Sequence, residues 1–94
     1  DYKAMVRLVE DLSTFPFIKT EHNQGIQHLY AFALNRNGDR DKALNVILKT
    51  IDKSESPVPD MICLCGRIYK DKFVDSDYTN QDDLNNAISW YRKG

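Results

Sequence analysis

Four side chains in this sequence could serve as nucleophiles or soft metal ligands: Cys63, Cys65, His22 and His28. On a helix Cys63 and Cys65 point about 200° apart, so they can neither form a disulfide with each other nor hold one metal ion. The two histidines are separated by a spacing that does not fit one helical face, and we therefore predict no metal site. Cys65 is predicted to be a packed core thiol. A redox role for Cys63 stays open, because Arg67 lies one helical turn further on.

A second group of potential metal ligands is acidic and clusters in the last third of the chain. Its members are Asp71, Asp75, Asp77, Asp82 and Asp83. The cluster lacks the order of a calcium-binding EF-hand, since it has no glycine at the sixth position and no glutamate at the twelfth. The sequence therefore predicts a solvated acidic loop and no cofactor in this segment.

Length and charge restrict the class of protein. The chain has 94 residues with a net charge of −1, and 41% of its residues are hydrophobic and 29% charged. This composition indicates one small globular domain or part of a longer protein, without the broad positive field that nucleic-acid binding needs. No apolar run approaches the roughly 18–20 residues that span a bilayer, so we expect no membrane segment. The helical pattern continues uncapped to the last residues, and we expect the protein to extend further.

Apolar residues recur every three or four positions along most of the chain, which predicts helices and no strand. Breaks at 13–16, 37–38, 54–59 and 74–83 divide the pattern into about five helices, an all-α fold. The apolar cluster at 15–18 and Val58 are interpreted as loop anchors. The predicted inward-facing residues of the five helices are Ala4, Met5, Leu8, Val9, Leu12; Ile26, Leu29, Tyr30, Ala33, Leu34; Ala43, Leu44, Ile47, Leu48, Ile51; Met61, Leu64, Cys65, Ile68, Tyr69, Phe73; and Leu84, Ala87, Ile88, Tyr91.

A weak internal repeat suggests how these helices are arranged. Tetratricopeptide repeats are 34-residue helical hairpins that need small residues at positions 8 and 20, where the two helices cross. Ala31 and Ala43 fit these positions in one repeat, and Gly66 and Ala87 fit them in a second. Residues 65–69 and 87–94 also follow the repeat signatures, with Tyr69 and Tyr91 at the large positions.

We therefore predict an α-solenoid fragment of tetratricopeptide type. Residues 1–13 form the second helix of a preceding hairpin, 23–53 form repeat one, and 59–94 form repeat two with a loop insertion near 74–80 and a truncated end. Such repeats bury their faces only against neighbours, and roughly three are needed for stability. A plain bundle of antiparallel helices is the alternative.

In this register the first helix of each hairpin presents positions 5, 9, 12 and 13 to a concave groove. These positions are His28, Phe32, Asn35, Arg36, Cys63, Arg67, Lys70 and Asp71. Arg36, Arg67 and Lys70 would form a locally basic strip suited to an acidic or phosphorylated segment of a protein partner. The alternative is that these residues are merely solvated. Capture of a C-terminal carboxylate is disfavoured, because His28 and Cys63 replace the lysine or asparagine that it requires.

Several colinear segments carry a family resemblance. They are residues 4–10 (AMVRLVE), 30–36 (YAFALNR), 38–40 (GDR), 42–44 (KAL), 59–71 (PDMICLCGRIYKD) with Phe73 and 75–77 (DSD), and 90–93 (WYRK). With these segments the chain resembles the central regulatory region of the apoptosis signal-regulating kinases, which are MAP kinase kinase kinases. The resemblance implies a cytoplasmic, helical, tetratricopeptide-like region that binds TRAF-type adaptors and lies between a thioredoxin-binding part and a serine/threonine kinase domain.

The resemblance also implies that the parent protein phosphorylates MAP kinase kinases under stress, with ATP and Mg²⁺ bound in a kinase domain outside this segment. The segment itself has no Gly-rich loop, no His-Arg-Asp and no Asp-Phe-Gly, so we expect it to be non-catalytic. We predict a protein-interaction scaffold that binds upstream partners, substrate kinases and the neighbouring sensor and kinase domains. Through these contacts it would couple upstream sensing to activation of the kinase. The alternative is a structural spacer that packs on neighbouring domains without its own ligand.

Overall fold

Five α helices make up the part of the chain that the computed structural model describes, residues 1–14, 23–54 and 59–93. They are α1 (Tyr2–Leu12), α2 (Gln24–Arg36), α3 (Arg40–Lys53), α4 (Pro59–Asp75) and α5 (Gln81–Lys93). No strand occurs within these ranges, and the all-α prediction with five helices is confirmed. The predicted loop anchors at 15–18 and 58 lie outside the described residues, as does His22.

Side chains just outside the helices fix where most of them begin. Asn23 and Asn80 accept hydrogen bonds through Oδ1 from the backbone N–H groups of Ile26 (3.0 Å) and Asp83 (3.3 Å). Such bonds satisfy donors that have no partner within the helix. Asp39 occupies the N-cap position of α3 but makes no side-chain hydrogen bond there.

Each described helix packs against its neighbour in sequence, which produces a flat array. Short connections join α2 to α3 and α4 to α5, α3 packs on α4, and α1 packs on α2. A glycine with a φ of 95°, Gly38, ends the chain reversal after α2, as the sequence predicted. The described part measures 43 × 29 × 16 Å. This succession of antiparallel neighbours is compatible with two stacked hairpins and a leading helix, and the tetratricopeptide class remains a prediction.

The small residues predicted to lie at helix crossings are buried. Ala31, Ala43 and Ala87 are buried in the structure, and Gly66 is buried on α4. A Cβ atom on Gly66 would lie 3.1 Å from the Tyr91 ring, closer than side chains normally approach. The glycine therefore lets α5 seat its aromatic ring directly on the α4 backbone.

Packing at the two ends of the array differs from the sequence prediction. On α1 the buried residues are Val6 and Val9, whereas Ala4 is exposed and Leu8 is 60% exposed. The predicted apolar face of α1 is therefore wrong in part, because only one side of this helix meets α2. Leu29 and Ile88, also predicted to face inward, are exposed as well. The inner helices α3 and α4 bury the faces that the sequence predicted.

Two groups of charged residues connect helices that are not all neighbours in the chain. Glu10 on α1 accepts hydrogen bonds from Tyr30 Oη on α2 (2.8 Å) and from Lys42 Nζ on α3 (2.9 Å). The hydrogen bond from Lys42, with that from Tyr30, lowers the pKa of Glu10. The same contact to Glu10 raises the pKa of Lys42.

Lys72 forms the second group and bridges both hairpins. Its Nζ lies 2.8 Å from Asp41 Oδ1 on α3 and 3.9 Å from Asp83 Oδ1 on α5. The hydrogen bond to Asp41 raises the pKa of Lys72. Because Asp83 is buried, this ammonium compensates a carboxylate that has little access to water.

Candidate protein-interaction surface

The predicted groove residues fall on two helices that touch directly. Asn35 Nδ2 on α2 donates a hydrogen bond of 2.8 Å to Asp71 Oδ2 on α4. Phe32 precedes Asn35 by one helical turn and Arg67 precedes Asp71 by one turn, so both flank this junction. Phe32 and Arg67 are exposed, as is Lys70. We call the face formed by the half-buried His28 and the exposed Phe32, Cys63, Arg67 and Lys70 the α2–α4 surface.

Asn35 itself is not part of that exposed face. Its relative exposure is 2%, and Arg40 Nη1 donates to both its side-chain Oδ1 (3.1 Å) and its backbone carbonyl. The prediction that Asn35 lines an open groove is therefore contradicted by its burial. Its amide holds α2, α3 and α4 together, and this role depends on an arginine from another helix.

The acidic residues also differ from the prediction of a solvated loop. The α4 helix continues to Asp75, so Asp71 and Asp75 are helical, and the connection to α5 is limited to 76–80. Arg40 on α3 forms ion pairs with both of them, at 2.9 Å from Asp75 and 3.8 Å from Asp71. Asp83 is buried at the start of α5. Three of the five carboxylates thus help to join helices.

Arg36 lies at the edge of the surface rather than in its centre. Its guanidinium carbon is 5.3 Å from the centre of the Tyr2 ring on α1, and this ring packs edge-on against Phe32 at 5.7 Å. Sequence reasoning missed Tyr2, because no local spacing relates it to α2. An open cavity of about 470 Å³ beside Phe32 is lined by Gly25, His28, Leu29 and Phe32.

Tyr91 is a second aromatic residue that sequence reasoning assigned only to helix packing. Its ring rests on Gly66, yet the residue is still exposed. Burial of part of the side chain raises the pKa of Tyr91, while the positive charge of Arg67 opposes that rise. Because the Tyr91 ring rests on Gly66, the residue before Arg67, it borders the basic side of the α2–α4 surface.

The two cysteines differ as the sequence predicted. Cys63 is exposed and Cys65 is buried, and both are free thiols. Burial raises the pKa of Cys65 to about 12, so this thiol stays protonated at neutral pH. Within the described ranges, no three His, Cys, Asp or Glu side chains are grouped so that they could hold a metal ion.

None of the described helices combines the length and the apolarity needed to cross a bilayer.

These observations define a class: an all-α domain whose exposed aromatic and basic side chains suit contact with another protein. The chain belongs to the MAP3K TRAFs-binding domain family, whose model matches residues 1–94. The family is thus described by a protein interaction rather than by catalysis.

Similar proteins support this assignment. The chain is 50% identical over 97 residues to mitogen-activated protein kinase kinase kinase 15 of Mus musculus. This alignment covers 100% of the chain and 7% of that relative. It is 45% identical over 104 residues to mitogen-activated protein kinase kinase kinase nsy-1 of Caenorhabditis elegans, covering 99% of the chain and 7% of that relative. It is 40% identical over 96 residues to mitogen-activated protein kinase kinase kinase 5 of Homo sapiens. That alignment covers 99% of the chain and 7% of the relative. The resemblance read from the sequence motifs is confirmed. The chain spans only a small part of the length of these proteins.

Proposed function

We propose that this domain is a non-catalytic regulatory scaffold within a stress-activated serine/threonine MAP kinase kinase kinase. In this role it holds TRAF-type adaptors and couples them, and the neighbouring sensor and kinase domains, to activation of the kinase. ATP and Mg²⁺ act in the separate kinase domain, and MAP kinase kinases are the substrates of the parent protein. The family assignment supports a protein-interaction role, and the α2–α4 surface is the site that we assign to it.

The observation that carries this proposal is the exposure of Phe32, Arg67 and Lys70 at the junction of two helices. An aromatic side chain and basic groups close together are typical of contacts that anchor protein partners. The nearby carboxylate of Asp71 is shared among Asn35, Arg40 and Arg67, so it neutralises this basic surface only in part.

Charge reversal tests the proposal in the full-length parent protein. The triple variant Arg36→Glu, Arg67→Glu, Lys70→Glu should reduce co-precipitation of TRAF adaptors and activation of the kinase under stress. A control of equal charge change replaces three exposed basic residues outside the surface, Lys3, Arg7 and Lys49, by Glu. If the surface variant behaves like this control, the α2–α4 surface is not the interaction site.

A structural spacer is the second candidate, and the uncovered ends of the array favour it. Leu29 and Leu64 occupy the same position of the two predicted repeats, yet Leu29 is 46% exposed and Leu64 only 7%. Likewise Ile88 is 42% exposed, whereas its counterpart Leu44 is 6% exposed. Leu44 and Leu64 belong to one core cluster drawn from α1 to α4, so the exposed members are places where further helices would pack.

The two candidates respond differently to mutation. A spacer predicts that Leu29→Glu and Ile88→Glu disturb the assembly of the parent protein while charge reversal on the α2–α4 surface changes nothing. An interaction surface predicts that charge reversal removes adaptor binding even though the elution volume of the parent protein in size-exclusion chromatography is unchanged.

A further inference from the structure

The α2–α4 surface has two chemically different sides. The α2 side presents the apolar Phe32 and Leu29 around the adjoining cavity, with the half-buried His28 beside them. The α4 side is basic and presents Arg67 and Lys70, both exposed. The Tyr91 ring, seated on Gly66, continues the basic side with an aromatic face.

Arg67 retains the capacity to bind a second carboxylate. Its side chain is 56% exposed, and its Nε lies 3.8 Å from Asp71 Oδ2, too far for a good hydrogen bond. Asp71 Oδ2 is shared, because it accepts the hydrogen bond from Asn35 at 2.8 Å and lies 3.8 Å from the guanidinium groups of both Arg40 and Arg67. Because a guanidinium has five N–H donors, most of those of Arg67 stay available to an incoming anion.

The spacing of the two sides sets the spacing of matching groups in a ligand. Packed helices have axes about 8–10 Å apart, and an extended chain advances about 3.3 Å per residue. An extended ligand that crosses from one packed helix to the next, as from α2 to α4, therefore needs about three residues.

We propose that the α2–α4 surface binds an extended segment of a protein partner in which an apolar side chain and an Asp or Glu lie about three residues apart. The apolar side chain packs on Phe32 beside the cavity, and the carboxylate pairs with Arg67 and Lys70. This inference rests on the proposed function, since it specifies the ligand of the same surface. It differs from a general attraction to acidic proteins, because it requires both groups at a defined spacing.

Fluorescence anisotropy with the purified full-length parent protein tests the spacing. The probes are labelled Gly/Ser peptides that carry one Leu and one Glu, either adjacent, about three residues apart, or about twice as far apart. A further probe replaces Glu by Lys at the intermediate spacing. We expect the intermediate Leu/Glu peptide to bind at least about tenfold more tightly than the others, which corresponds to about 1.4 kcal/mol.

Variants assign this preference to the two sides of the surface. Arg67→Ala should remove the preference for Glu over Lys, and Phe32→Ala should remove the contribution of Leu. Arg7→Ala on α1 removes an exposed arginine outside the surface and should leave binding unchanged. Equal binding at all spacings, equal binding of the Lys peptide, or unaltered selectivity in Arg67→Ala would each overturn the inference. Tighter binding of a phosphoserine peptide than of the Glu peptide would also overturn it, because the matching group would then be phosphate.

Failure of this inference can be told apart from failure of the proposed function. If charge reversal abolishes adaptor binding but the peptides show no selectivity, the surface binds a partner of another form and only the inference fails. If the peptides bind selectively but charge reversal leaves adaptor binding and kinase activation intact, the scaffold function of this surface fails.

Discussion

The contact between Gly66 and Tyr91 can be tested by adding a single methyl group. In Gly66→Ala the new Cβ would lie 3.1 Å from Cδ1 and Cε1 of the Tyr91 ring and 3.2 Å from its Cγ. Most side-chain contacts are longer, so the ring has to move by a few tenths of an ångström. Alanine at the same time favours the helical conformation more than glycine does. The substitution therefore has two effects of opposite sign on the free energy of unfolding.

The size of each effect follows from its cause. Overpacking of a well-filled contact costs about 1–3 kcal/mol, whereas replacing glycine by alanine inside a helix contributes about 1 kcal/mol of stability. We therefore expect Gly66→Ala to leave stability unchanged or to lower it by up to about 2 kcal/mol. In a Tyr91→Ala background the ring is absent, and the same substitution should stabilise the protein by about 1 kcal/mol.

Denaturant unfolding of the four proteins of this double-mutant cycle measures the coupling. The effect of Gly66→Ala should become more favourable by about 1–3 kcal/mol when the ring is removed. A matched control removes Tyr78, an exposed tyrosine whose ring contacts Phe73; there Gly66→Ala should behave as in the wild type. The reasoning is refuted if Gly66→Ala has the same effect with and without Tyr91.

Three further predictions concern charges, thiols and buried hydrogen bonds. Hydrogen bonds from a lysine on α3 and a tyrosine on α2 lower the pKa of Glu10 in the folded protein. The ionised Glu10 therefore stabilises the fold above its unfolded pKa, and this stabilisation disappears as the pH falls through its lower folded pKa. Urea midpoints measured from pH 7 to acid should fall less steeply in Glu10→Gln than in the wild type. Folded protein should react with a thiol reagent at Cys63 but not at Cys65, whose pKa of about 12 and burial keep it protonated and inaccessible; mass spectrometry should find one modified thiol, and none in Cys63→Ser. Arg40→Ala should cost about 1–3 kcal/mol in denaturant unfolding, because it leaves the buried Asn35 oxygen without that donor; a loss below about 0.5 kcal/mol would mean that water replaces the arginine.

Features that depend on local sequence were predictable. The helices follow from apolar spacing, and the burial of small residues such as Ala31 and Gly66 follows from the close packing expected at their positions. The stop at Gly38 is likewise encoded within a few residues. These elements therefore agree with expectation.

Features that depend on distant partners were not predictable in the same way. From the sequence alone Asn35 is predicted to be an exposed polar residue. In the fold it hydrogen-bonds to Arg40 on α3 and Asp71 on α4 and is buried. The stripe on α1 fits Leu8 and Val9 equally well, and only the side on which α2 lies decides that Val9 is buried. For the interaction surface, the sequence indicated Phe32 and Arg67 but not how the helices orient them.

Lys72 links the rigidity of the second hairpin to its attachment to the first. One ammonium group faces Asp41 on α3 and Asp83 on α5, and the side chain of Asp83 is only 9% exposed. Loss of that charge would leave the buried Asp83 carboxylate without its cationic neighbour and remove one of the ion pairs between the hairpins in the same event. A substitution of Lys72 therefore weakens the contact between the two hairpins and the second hairpin itself together.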